Sequence, residues 1–201
     1  METFGGYSLL NGSLESTFSG WDTNTTVFLK RWFGVTSDFS GQYWSASSTN
    51  PRIPGEITSS TLKFREVPTS FLIGPHFTYR HSRYAPFAQA LFGVTHDRFK
   101  VSVVDPAQCG PAFQAPCSEY AGQVLTNVSY TKFAMALGGG IDIAVGHGIS
   151  IRPVQAEYFL RHLPAILGPG NSPPPEFFHV NEFRYSAGIS FRFGPHLGQS
   201  R

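Results

Sequence analysis

The chain has 201 residues, of which 14% are charged and 15% aromatic, with 19 phenylalanines and a formal charge of +2. A charge so near balance and without a clustered basic face excludes nucleic acid as the partner, and the length suits a single all-β domain. Apolar residues make up 41% of the chain but never form the roughly 18 to 20 unbroken positions of a transmembrane helix. That does not exclude a membrane strand, which needs only about 9 to 11 residues and turns half of them to lipid.

The N-terminus, Met1-Glu2-Thr3-Phe4-Gly5-Gly6-Tyr7, has neither the basic n-region nor the apolar h-region of a secretory leader, so an exported protein would already have lost one. The first strand is predicted over Thr3 to Asn11, with a polar connection from Gly12 to Gly20. The second, Trp21 to Phe33, runs almost directly into the third, Gly34 to Trp44, leaving Arg31-Trp32-Phe33-Gly34 for a tight hairpin. Ser45 to Glu66 is polar and reads as a long loop. The fourth strand, Val67 to Arg80, sets Phe71, Ile73, Phe77 and Tyr79 against Ser70, Gly74, His76, Thr78 and Arg80. His81-Ser82-Arg83-Tyr84 turns the chain into the fifth strand, Ala85 to Phe99, with Gln89, Gly93 and Thr95 inward.

Lys100 to Val128 is the longest irregular stretch. In the sixth strand, Ser129 to Val145, Phe133, Met135, Leu137, Ile141, Ile143 and Val145 alternate with Lys132, Ala134, Ala136, Gly138, Gly140 and Asp142. Gly146-His147-Gly148 is a minimal turn into the seventh strand, Ile149 to Arg161. There the apolar parity changes beyond Pro153, as a β-bulge at Arg152-Pro153 would cause, and the bulge turns Arg152, Gln155 and Glu157 inward. A proline-rich loop, Leu163 to Val180, leads to the eighth strand. From Phe183 to Phe193 the odd positions read Phe, Tyr, Ala, Ile, Phe, Phe and the even ones Arg, Ser, Gly, Ser, Arg.

Connections alternate between tight and long, which is the layout of an eight-stranded antiparallel up-and-down transmembrane β-barrel. This fold is predicted for residues 1–194, with residues 195–201 as a short tail. The inward set is Lys30, Asp38, His76, Lys132, Asp142, Arg152, Glu157, Arg184 and Arg192. Charges of both signs suit a plugged polar lumen and would ruin the apolar cavity of a soluble ligand-binding barrel. Arg184, Arg192, Lys132 and Asp142 are expected to find opposite charges there, with Arg152 and Glu157 the nearest candidates.

Four fragments, in this order and spacing, carry a resemblance over essentially the whole chain. They are Phe4-Gly5-Gly6-Tyr7-Ser8, Arg31-Trp32-Phe33-Gly34-Val35, Leu137-Gly138-Gly139-Gly140-Ile141-Asp142 and the closing Phe183 to Phe193. With them the chain resembles the bacterial outer-membrane β-barrel domain family that includes the OmpA-like and OmpX-like barrels. The resemblance implies an outer-membrane location, lipid around the barrel and insertion by the barrel assembly machinery. Ser186, Gly188, Phe191 and Phe193 look like the assembly signal of that family. The tail from Pro195 to Arg201 departs from it, since many members stop at the final aromatic.

Cys109 and Cys117 are close enough in sequence to close a small loop, and a disulfide there would rigidify the longest connection in an oxidising compartment. The alternatives are free thiols or a metal, and the histidines nearest in sequence offer no zinc-like spacing. The inward charges fit a structural network or, on a sharper reading, the ion path of a narrow pore. An enzyme at the rim, lipid A-modifying or proteolytic, would draw on His96, Asp97, Ser118, Glu119, His162 and His179, but the sequence aligns no nucleophile, base and orienting group. The expectation is a structural or surface-interacting, adhesion-type barrel without catalysis, metal or cofactor, whose loops meet an extracellular partner.

Overall fold

The computed structural model describes residues 1–12, 17–50, 57–109, 122, 124–164 and 177–193. Eight strands follow in chain order: β1 (Glu2–Gly12), β2 (Thr17–Phe28), β3 (Phe33–Asn50), β4 (Ile57–Thr78), β5 (Tyr84–Cys109), β6 (Val124–Gly146), β7 (Ile149–Pro164) and β8 (Phe177–Arg192). Each pairs with its neighbours in sequence, and β1 returns antiparallel onto β8, from Glu2 opposite Arg192 to Gly12 opposite Glu182. The barrel is therefore closed where β1 meets β8, the condition a lipid solvent imposes on a β-structure.

The chain groups into two compact units. The first comprises Met1–Gln42, Thr69–His96 and Thr131–Arg201, and the second Tyr43–Pro68 and Asp97–Tyr130. In the first unit, backbone hydrogen bonds tie the tight turns and both strand ends together. Thr78 N–H donates to Trp32 O, Ala144 N–H to Arg83 O, Arg192 N–H to Gly148 O and Phe193 N–H to Met1 O, all at 2.7 to 2.9 Å. The tight turns thus gather at one end with the first and last described residues, as their shortness predicts.

The first turn differs from expectation. The reversal occupies Leu29 to Trp32, where Leu29 and Lys30 N–H both donate to Phe33 O, and β3 begins at Phe33. The tilted ring packing of Phe33 on Phe77, 5.3 Å between centroids, helps hold Phe33 in the strand. In the second turn a His81–Tyr84 bridge brackets Ser82, whose φ of 52° lies in the left-handed region. In the third, Gly148 at φ 78° supplies the conformation that a side chain would disfavour.

The bulge in β7 is present. Arg152 pairs with Gly188 and Gln155 with Ser186, so three steps on β7 face two on β8. Against β6 the same extra residue lies between Ile151, opposite Ile143, and Val154, opposite Ile141. Pro153 sits within it, where its missing N–H costs no ladder bond. Beyond the bulge, Gln155, Glu157, Phe159 and Arg161 are all buried.

The stretches read as loops from Ser45 to Glu66 and from Lys100 to Val128 are in large part strand, since β3 runs on to Asn50, β4 starts at Ile57, β5 reaches Cys109 and β6 starts at Val124. The first stretch is polar, yet the alternation of Leu62 and Phe64 with the exposed Lys63 and Arg65 gives a strand wetted on one face. Within the second unit Val101 and Val103 are buried and the rings of Phe64 and Phe99 lie 6.5 Å apart, so this sheet has a small apolar core of its own. Cys117 and the 195–201 tail lie outside the described residues, and so does the Cys109–Cys117 pairing.

Candidate functional site

Burial in the first unit is inverted relative to a soluble protein. Leu137 is 55% exposed, Ile73 51% and Phe191 44%, whereas Arg184 is 1% and Arg152 2% exposed. Ring packing of Trp32 on Phe77, 6.0 Å between centroids, begins an aromatic girdle at the tight-turn end. Tyr158, packed on Phe183 and bonded through its hydroxyl to Asn181, marks another level on the outer face. Aromatic girdles above and below an apolar band are what a bilayer requires of a barrel surface.

Inside, the charged side chains form layers that β8 orders. Nearest the tight turns, Arg192 donates to Glu2 Oε2 at 3.1 Å and remains partly exposed. Next, Arg152 makes a two-pronged pair with Asp142, Nε to Oδ1 at 2.8 Å and NH2 to Oδ2 at 3.0 Å, and donates to Gln155 Oε1 at 2.7 Å. Its guanidinium lies 4.3 Å from the ring centres of both Phe4 and Phe87, which cover the faces that its in-plane hydrogen bonds leave bare.

Arg184 holds the centre. It donates to Asp38 Oδ1 at 2.9 Å and Oδ2 at 3.0 Å, to Ser40 Oγ at 2.9 Å and to Glu157 Oε2 at 2.7 Å. Gln89 donates to the other Glu157 oxygen at 2.7 Å, and His76 Nδ1 lies 3.1 Å from Gln89 Oε1. A continuous chain of contacts thus crosses the interior from β4 and β5 through β7 and β8 to β3. Farther along, Arg161 pairs with both oxygens of Glu182 at 2.6 Å, and Ser186 donates to Asp22 Oδ2 at 2.7 Å.

Of the residues expected inward, Asp38, His76, Asp142, Arg152, Glu157 and Arg184 are buried. Lys132 is half-buried, Arg192 belongs to the rim, and its acid is Glu2. Lys30 is exposed on the first turn with its ammonium 5.7 Å from the Trp32 ring centre, because the reversal starts earlier than expected and takes Lys30 out of the strand. Sequence reasoning does not single out Glu2, Asp22, Arg161 or Glu182. Counting in twos from Arg184 reaches Glu182, and from Glu157 reaches Arg161, so parity alone would have found these two.

Ser186 is buried, Phe191 and Phe193 are exposed on the outer face, and Gly188 lies against the Gly5 backbone of β1, where a Cβ would collide. Of the residues considered for catalysis, those described lie on three strands, His96 and Asp97 on β5, His162 on β7 and His179 on β8. His96 bonds Thr131 Oγ1 at 2.9 Å, His162 and His179 stand opposite each other across β7 and β8, and Ser118 and Glu119 lie outside the described residues. Asp97 is buried.

No family model matches the sequence, and no curated protein matches it. Among solved structures, the outer membrane protein OprG from Pseudomonas aeruginosa is similar at 11% identity, covering 96% of this chain and 95% of that one, with a TM-score of 0.52. The chain has the fold of a bacterial outer-membrane β-barrel. The attachment invasion locus protein Ail of Yersinia pestis, in complex with the heparin analogue sucrose octasulfate, is similar at 16% identity over 94% of this chain and 98% of that one, with a TM-score of 0.49. Neisserial surface protein A is similar at 12% identity over 96% and 95%, with a TM-score of 0.44. In an outer-membrane barrel, the inverted burial has a direct meaning: lipid takes the apolar face, and the paired charges take the lumen.

Proposed function

We propose that this outer-membrane barrel has a surface-interaction role of the adhesion type, with a lumen closed by ion pairs and no catalytic function. Strand length carries the reading. β4, β5 and β6 have 22, 26 and 23 residues, about twice the 9 to 11 that a crossing needs, so much ordered sheet serves something other than spanning. The second unit contains part of that excess. On the neighbouring strands β4 and β5 it exposes Lys63, Arg65, Arg98 and Lys100, which favours an acidic partner. Three arginines packed among carboxylates and rings support a plugged interior, in keeping with the narrow bore of eight strands.

Cells displaying the protein should adhere to a surface coated with an anionic glycan. Replacing Lys63, Arg65, Arg98 and Lys100 together by Gln should reduce adherence by about tenfold or more at physiological salt. Equal adherence of the variant, displayed at equal density, would refute the reading.

A further inference from the structure

In the first unit every described carboxylate is buried: Glu2, Asp22, Asp38, Asp142, Glu157 and Glu182. Lys30, Arg31, Arg80 and Arg83 are exposed on its first two turns. The tight-turn end therefore presents positive charge with no exposed acid among the described residues. A cavity of about 40 Å³ opens there, lined in part by Arg80, Ser82, Arg83, Ser150, Arg192 and Asp142.

The acids near this cavity are already engaged. Asp142 is held by both prongs of Arg152, and Glu2 by Arg192 at 3.1 Å, Arg80 at 3.7 Å and Arg152 at 3.8 Å. Two carboxylates thus serve three arginines, Arg80, Arg152 and Arg192, and Arg83 has no acid partner among the described residues. Arg80, on the turn beyond β4, has its pKa lowered from the ordinary arginine value, by the partial burial of its side chain first and by the positive charge of Arg192 next. The segment that carries Arg83 is fixed, because its carbonyl accepts from Ala144 N–H at 2.8 Å and Ser82 before it holds a left-handed backbone.

The geometry points to this cavity as a binding site for a phosphate group, either of an anionic lipid headgroup or of free orthophosphate, with Arg80 and Arg83 as its binding residues. Guanidinium forks match phosphate oxygens in distance and plane, and the Ser82 and Ser150 hydroxyls add neutral donors for a tetrahedral anion. The volume is that of roughly three waters by the threshold for a single one, enough for the anion's oxygens and too little for the rest of a lipid, which would stay outside. This site is separate from the surface role proposed above, which concerns the second unit.

The test is titration of the whole protein in detergent with orthophosphate at physiological salt, followed by mass spectrometry of nanodiscs containing phosphatidylglycerol and phosphatidylcholine. Wild type should bind orthophosphate saturably or retain phosphatidylglycerol selectively. Arg83→Gln should weaken that binding by about tenfold or more, whereas Lys30→Gln on the neighbouring turn should leave it nearly unchanged, because the exposed Lys30 ammonium lies by the Trp32 ring and an exposed charge is screened. Arg83-dependent retention of phosphatidylglycerol identifies the headgroup as the source, and orthophosphate binding without it identifies the free ion. Binding of neither, or equal loss in Arg83→Gln and Lys30→Gln with both variants folded by heat-modifiable gel mobility, overturns the proposal.

Discussion

Arg184→Ala should be the most damaging single substitution in the lumen. It removes the donor to Asp38, Ser40 and Glu157 at once and leaves two carboxylates facing each other with almost no exposure. Breaking a buried pair from one side costs about 3 to 5 kcal/mol, and stranding two acids belongs at the upper end of that range. Urea unfolding in liposomes, followed by heat-modifiable gel mobility, should show a large fall in midpoint or no folded band. Adding Asp38→Asn and Glu157→Gln to the variant should recover part of the loss, since neutral groups carry a smaller desolvation penalty. An unchanged midpoint for Arg184→Ala would mean that the network does not hold the barrel together.

On the outer face the largest effect is expected from Ile73→Arg. Ile73 is exposed on β4, two steps of alternation from Phe77, whose ring packs on Trp32 in the girdle at the tight turns. That places it toward the middle of the apolar band, where arginine costs about 2 to 4 kcal/mol. Leu137→Arg should cost less, about 0 to 1 kcal/mol at an interfacial depth, because Leu137 stands opposite Tyr158, which marks the girdle on the other side. Folding yields into bilayers should rank wild type, Leu137→Arg, Ile73→Arg. Equal tolerance of the two would remove the depth dependence that lipid imposes.

The alternation of β4, β6 and β8 is legible in the sequence because lipid on one side and packed charge on the other impose a strict period of two. The β7 bulge is legible for the same reason, since Pro153 sits where the parity breaks. The sequence does not orient β2, and so Asp22 escapes notice: the outward positions there include Thr23 and Thr25, which give no apolar stripe to read. The extensions of β3 to β6 are hidden because a strand in water needs no long apolar face. The partners of Arg184 could not be chosen in advance, since Asp38 lies 146 positions away and only closure of the barrel brings the two together.

The most direct test of the account is a nitroxide scan along β8 in proteoliposomes, after Cys109 and Cys117 are replaced by serine. Labels at Phe183, Tyr185, Ile189 and Phe191 should be readily relaxed by oxygen dissolved in lipid, and labels at Ser186 and Ser190 should be shielded from it, with the accessibility alternating at a period of two. The reverse alternation, or no alternation, would contradict a barrel that turns its apolar residues to lipid and its charges inward.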